Sequence, residues 1–95
     1  MSNRAKQSQI EEVGKNKMVI KNDAGEVTFY AKRKRYEEYG GHVGWAVFEA
    51  RSNTEIAQPK TKDHARMILV EQQTSLNTFP FMWRLYTNKL TKKEA

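Results

Sequence analysis

Apolar and polar residues alternate with a period of two through the first half of the chain. After Pro59 they shift to helical spacing. Met18-Val-Ile20 centres a strand that Lys15 to Lys21 leads into, and Asn22-Asp-Ala-Gly25 follows it. Asn and Asp favour turn starts, and Gly25 can adopt the positive φ of a bulged hairpin. Glu26 to Arg35 is the expected return strand. Tyr36 to His42, loosened by Gly40-Gly41, leads to a third strand over Val43 to Arg51. The two faces of that strand, Val43/Trp45/Val47 and Gly44/Ala46/Phe48/Ala50, are both largely apolar, so its middle is expected to be covered on both sides. Thr54 to Ala57 reads as a short fourth strand or as loop.

Thr61 is a good helix N-cap, and Asp63 in the first turn meets the helix dipole. The helix is expected from Lys62 to Ser75, with Ala65, Ile68, Leu69, Gln72 and Leu76 on one stripe. Met67 and Val70 fall on nearly the opposite side, so a second cover is expected from Phe79-Pro-Phe-Met-Trp-Arg-Leu-Tyr86. That segment reads as a second helix over Pro80 to Lys89, with an extended pairing segment as the competing reading. Residues 1–14 are polar and read as a flexible N-terminal segment, in which Gln9 to Val13 can form a helical turn. Residues 15–90 make one domain and 91–95 a frayed tail. The expected fold is α+β: a three-stranded antiparallel meander packed against one main α-helix, with a C-terminal aromatic helical segment.

The stretch Phe29-Tyr-Ala-Lys-Arg-Lys-Arg-Tyr36 adds chemistry to this pattern. In a strand, Tyr30, Lys32, Lys34 and Tyr36 share one face, and Phe29, Ala31, Arg33 and Arg35 share the other. One face begins apolar, as a core requires, and the other interleaves aromatics with cations. Because Arg33 and Arg35 fall on the core side, the strand is expected to leave the sheet or bend near Lys32. Trp45 and Phe48 point to opposite faces, so at least one belongs to the core. Phe29, Phe79, Phe81 and Trp83 are read as core, and Tyr36 and Tyr39 as exposed.

Charge sharpens the picture. The net charge of the 95 residues is +6, distributed as +5 over residues 1–36, −3 over 37–58 and +4 over 59–95. Segregated basic segments point to a polyanionic partner. With no cysteine, disulfides and thiolate metal sites are excluded. With no apolar run behind the first residues and none long enough to span a bilayer, a cytoplasmic location without membrane association is expected. No cofactor or metal is expected, since two isolated histidines and scattered acids give no ligand spacing.

Each cation that neutralises a phosphate contributes sequence-independent attraction, and aromatic faces stack on unpaired bases at about 1–3 kcal/mol per base. The candidate nucleic-acid site is therefore Lys32, Arg33, Lys34 and Arg35 for charge and Tyr30 and Tyr36 for stacking. Lys60, Lys62 and Arg66 extend the track around the helix start. Lys15 and Lys17, and Lys89, Lys92 and Lys93, are further basic clusters. The expected function is non-catalytic binding of nucleic acid, RNA rather than DNA. The alternative is a small inhibitor or adaptor acting on a nucleic-acid enzyme through Tyr36, Tyr39 and Trp83, of the kind common among phage accessory and counter-defence proteins. The third reading is a small basic ribonuclease using His42, with Glu37 or Glu38, or His64. The chain is expected to be a monomer or a homodimer, with Lys17 to Lys21 as a possible pairing edge.

In outline, Gly40-Gly-His-Val-Gly-Trp-Ala-Val-Phe48 followed by Lys60-Thr-Lys-Asp-His-Ala65 resembles two families. One is the double-stranded RNA-binding domain, where a Gly-His turn precedes a strand and a Lys-rich helix start grips phosphate. The Lys60/Lys62 pair matches that helix start only in part. The other is the three-stranded-sheet DNA-binding module of phage integrases and related transcription factors. Each likeness covers about half the chain; the first implies phosphate contacts from the helix start, and the second a sheet that enters the major groove.

Overall fold

The computed structural model describes residues 4–37 and 40–79. Its core is one antiparallel sheet of five strands in chain order: β1 (Ile10–Glu12), β2 (Lys17–Lys21), β3 (Val27–Tyr36), β4 (His42–Glu49) and β5 (Thr54–Ala57). One helix, α1 (Lys62–Thr78), packs on one face. The class is α+β as expected, with five strands rather than three.

The β2–β3 hairpin forms because its turn satisfies itself. Asn22 Oδ1 accepts from the amides of Ala24 and Glu26, and Gly25 adopts φ 83°. A register irregularity at Ile20/Lys21 leaves Thr28 without a strand partner, and its hydroxyl donates to Gln73 Oε1 of α1. The added strands lie at the two edges. Thr54–Ala57 pairs with β4. Ile10–Glu12 pairs with β2, where a flexible segment able to form a helical turn over Gln9 to Val13 was expected; a short 3-10 turn over Gln7–Gln9 precedes it. Consequently β2 is an interior strand, and Lys17 to Lys21 is not an edge open to a second copy. Ala5 is also drawn into the core, its amide donating to Thr74 Oγ1 of α1.

Alternation then sorts the side chains. Met18, Ile20, Phe29, Ala31, Trp45 and Val47 face the helix and meet Ala65 and Leu69. Phe29 is fully buried, a burial worth about 2–3 kcal/mol. The helix starts as its sequence dictates, with Thr61 Oγ1 accepting from the His64 amide, and it continues to Thr78 rather than Ser75. Its deepest line is Ala65, Leu69 and Gln73, spaced by four. Val70, expected on the far side, packs against the core along with Ile68 and Leu76. Met67 and Phe79 are more than half exposed, so Phe79 is not the core residue expected of it. The expected helix over 80–89 and the aromatics Tyr39, Phe81 and Trp83 lie outside the described residues.

Two polar side chains are buried with this core, and both are satisfied. Gln73 accepts from Thr28 and donates to Asn77 Oδ1. Glu49 ends β4 by accepting from the amides of Arg51 and Ser52 and from the Ser52 hydroxyl, which fixes the turn into β5.

Candidate nucleic-acid interface

The face of the sheet opposite α1 carries no helix among the described residues. The ladder registers arrange its side chains in rows across the strands. Val19, Tyr30, Phe48 and Glu55 form one row, and Lys17, Lys32 and Ala46 the next. Lys34 beside Gly44, then Tyr36 beside His42, complete it.

The first row is an aromatic platform. Tyr30 and Phe48 stack with ring centroids 4.9 Å apart and planes 11° apart. The Tyr30 hydroxyl donates to Asn53 Oδ1 at 2.9 Å, and partial burial pushes its phenol pKa up. Both rings are half-buried. Beside them lies the Lys17–Lys32 pair. The two lysines are direct cross-strand partners, an arrangement that is destabilising for like charges. Neither makes an ion pair among the described residues. Their ammonium groups lie over the platform instead, Lys17 Nζ 5.2 Å from the Tyr30 ring centroid and Lys32 Nζ 5.1 Å from that of Phe48.

The other end of the face is organised differently. Gly44 has no side chain, and a Cβ there would lie 3.6 Å from Tyr36 Cε2. The Tyr36 ring packs beside this position, and its hydroxyl reaches the Trp45 carbonyl at 3.2 Å and Glu55 Oε1 at 3.4 Å. Tyr36 is therefore only 7% exposed; it is not the exposed stacking residue expected, nor one presented to a protein partner. Lys34 Nζ lies 5.2 Å from the Tyr36 ring centroid and is paired with Glu55 at 3.0 Å. Burial pushes the Glu55 pKa up. The hydrogen bonds from Lys34, Gln58 and Tyr36 and the Lys34 charge outweigh it, so the net shift is downward. Lys34 is thus compensated, whereas Lys17 and Lys32 are not.

The remaining expected site residues lie elsewhere. Arg33 and Arg35 are on the helix side of β3, and β3 neither leaves the sheet nor bends away at Lys32: it stays paired with β4 as far as Tyr36. Both arginines are nevertheless exposed, since the helix-covered part of β3 ends at Ala31. Arg35 pairs with Glu37 at 3.0 Å. Lys62 and Arg66 converge on Glu12 of β1, tying the helix start to the sheet edge. The hydrogen bond from Lys62, together with its charge, holds the Glu12 carboxyl below its ordinary range. Lys60 precedes the helix and makes no ion pair among the described residues.

The nine expected residues therefore divide. Tyr30, Lys32, Lys34 and Tyr36 share the helix-free face, Arg33, Arg35, Lys62 and Arg66 belong to the helix side, and Lys60 lies in the connection between β5 and α1. Phe48, Asn53 and Glu55 were missed as site residues, and Lys17 was noticed only as part of a separate cluster. The parity of Phe48 along β4 was a usable signal. Both histidines are exposed, on β4 and in the first turn of α1, and Glu37 is engaged by Arg35. Among the described residues no group of three His, Asp or Glu side chains is placed to hold a metal, and no helix is long and apolar enough to cross a membrane.

No protein-family model, no curated protein and no solved structure matches this chain.

Proposed function

We propose that the protein is a non-catalytic nucleic-acid-binding protein that holds unpaired nucleotides, RNA in preference to DNA, on the helix-free face of its sheet. The observation that carries this reading is the Tyr30–Phe48 stack flanked by two uncompensated lysines, Lys17 and Lys32. Aromatic rings stack on any base that is not already stacked in a duplex, and ammonium groups next to them meet the connecting phosphates. Unstacked bases are offered chiefly by loops and single strands of RNA. A phosphate between Lys17 and Lys32 would also relieve their mutual repulsion, which no acid of the described residues relieves.

The test is fluorescence anisotropy with a single-stranded RNA of about ten nucleotides, its DNA equivalent and an RNA duplex. The single-stranded RNA should bind tightest, with affinity falling steeply between about 50 and 200 mM salt. Charge reversal at both Lys17 and Lys32 should remove most of that salt dependence. Absence of binding to every probe at low salt would end this reading.

A further inference from the structure

A cavity of about 400 Å³ lies where the aromatic–lysine face ends, lined by Tyr36, His42, Gly44, Gln58, Pro59 and Lys60. Its size falls in the range of about 300–1,000 Å³ typical of small-ligand clefts. It exists for structural reasons. Gly44 leaves the floor without a side chain, and a Cβ there would come within 3.3 Å of the Pro59 carbonyl oxygen and 3.6 Å of the Tyr36 ring. The Trp45 amide donates to that carbonyl at 2.8 Å, which holds the Pro59 wall beside β4 beyond the end of β5. Tyr36 is fixed by its hydroxyl on the opposite wall. Two walls are therefore rigid and partly apolar, an aromatic ring and a proline. The rim carries donors: the exposed His42 ring and the Lys60 ammonium, which makes no ion pair among the described residues. Among the described residues that line the cavity there is no carboxylate.

We infer that this cavity takes the terminal nucleotide of a strand bearing a phosphate monoester at its end. The terminal nucleoside rests in the mouth of the cleft, against what Tyr36 and Pro59 leave uncovered, and His42 and Lys60 donate to the terminal phosphate. The inference rests on the nucleic-acid reading above and adds a site to it. The platform at Tyr30 and Phe48 is indifferent to strand ends, whereas a half-open cleft beside the last row of the face, Tyr36 and His42, lies where a strand laid along that face comes to its end. A terminal phosphate monoester also carries more negative charge than an internal diester, which suits paired donors. The same chemistry would admit a free nucleoside monophosphate, so both sources are tested.

The experiment compares single-stranded RNA of one sequence with a 5′-phosphate, with a 3′-phosphate and with neither, against the native protein, Lys60→Ala, His42→Ala and Lys32→Ala. Uridine monophosphate serves as competitor, and thermal denaturation checks that each variant is folded. A phosphate at one end should tighten binding by about tenfold, the scale of charge-assisted hydrogen bonds. Lys60→Ala and His42→Ala should abolish that gain, so that each variant binds the phosphorylated and unphosphorylated strands with equal affinity. Lys32→Ala should weaken all three probes alike. Equal affinity of the native protein for the three strands, with no competition by the monophosphate, overturns the cavity assignment and leaves the platform reading standing. Lys60-dependent binding of the monophosphate without binding of any strand supports the cavity and overturns the platform reading. Binding of neither overturns both.

Discussion

The two faces of the sheet follow the same alternation and end as opposites. On the helix side, Met18, Ile20, Phe29, Ala31, Trp45 and Val47 are closed over by Ala65 and Leu69. The polar groups buried there, Glu49 and Gln73, are tied by hydrogen bonds. On the other side, Tyr30, Phe48, Lys17 and Lys32 sit in contact with one another but are left half-buried or exposed. Neighbouring residues of one strand therefore hold different offices: Phe29 and Ala31 specify the fold, and Tyr30 and Lys32 present a surface. The contrast also runs along the open face. Glu55 neutralises Lys34 and anchors Tyr36, while no acid of the described residues offsets Lys17 and Lys32.

Substitutions that take neighbouring residues on opposite faces should separate these roles. Phe29→Ala should cost about 3–5 kcal/mol, the cost of emptying a fully buried aromatic site. Tyr30→Ala, one residue away, should cost only about 1–2 kcal/mol yet weaken RNA binding. Urea denaturation reads the first quantity and anisotropy the second; equal destabilisation by the two changes would break the comparison.

Glu49→Ala comes next, at about 2 kcal/mol, because it leaves the Arg51 and Ser52 amides without their acceptor at the β4–β5 turn. RNA affinity measured below the melting transition should be retained. Lys32→Ala should have the reverse profile. Removing one of two facing cations should leave stability unchanged or raise it by a few tenths of a kcal/mol, while affinity for RNA falls at low salt.

The smallest effect concerns acid. The folded-state pKa of Glu55 lies below its ordinary value of 4.5. Its contribution to stability is therefore complete above that ordinary value and is lost as pH falls through the lowered folded value. Glu55→Gln should flatten the loss of stability on acidification in that window, read by thermal denaturation across a pH series. An unchanged acid profile would show that the Lys34–Glu55–Tyr36 cluster is not a coupled unit.

Much of the fold was legible because its signals are local. Asn22 and Gly25 write the hairpin, Thr61 writes the helix start, and the parity of Val47 and Phe48 writes the two faces of β4. β1 was not legible: it is three residues long, two of them glutamates, and it is held partly by contacts from Glu12 to Lys62 and Arg66. Such distant pairings leave no periodic trace. The aromatic–lysine face was readable from β3 alone as far as Tyr30 and Lys32. The fate of Tyr36 was not, since its hydroxyl is held by the Trp45 carbonyl and by Glu55, residues of two other strands. Exposure of Arg33 and Arg35 depends on where the helix crosses the sheet, a tertiary fact that β-strand alternation cannot encode.

The most direct test of the account is the salt dependence of single-stranded RNA binding for Lys32→Ala against Lys34→Ala, two positions on the same face of the same strand. If the uncompensated lysines meet phosphate, Lys32→Ala lowers the slope of log affinity against log salt by about 0.7, the value for one phosphate on a single strand. Lys34→Ala, whose charge Glu55 already offsets, changes it less. An equal or larger loss for Lys34→Ala, or no loss for Lys32→Ala, would contradict the account.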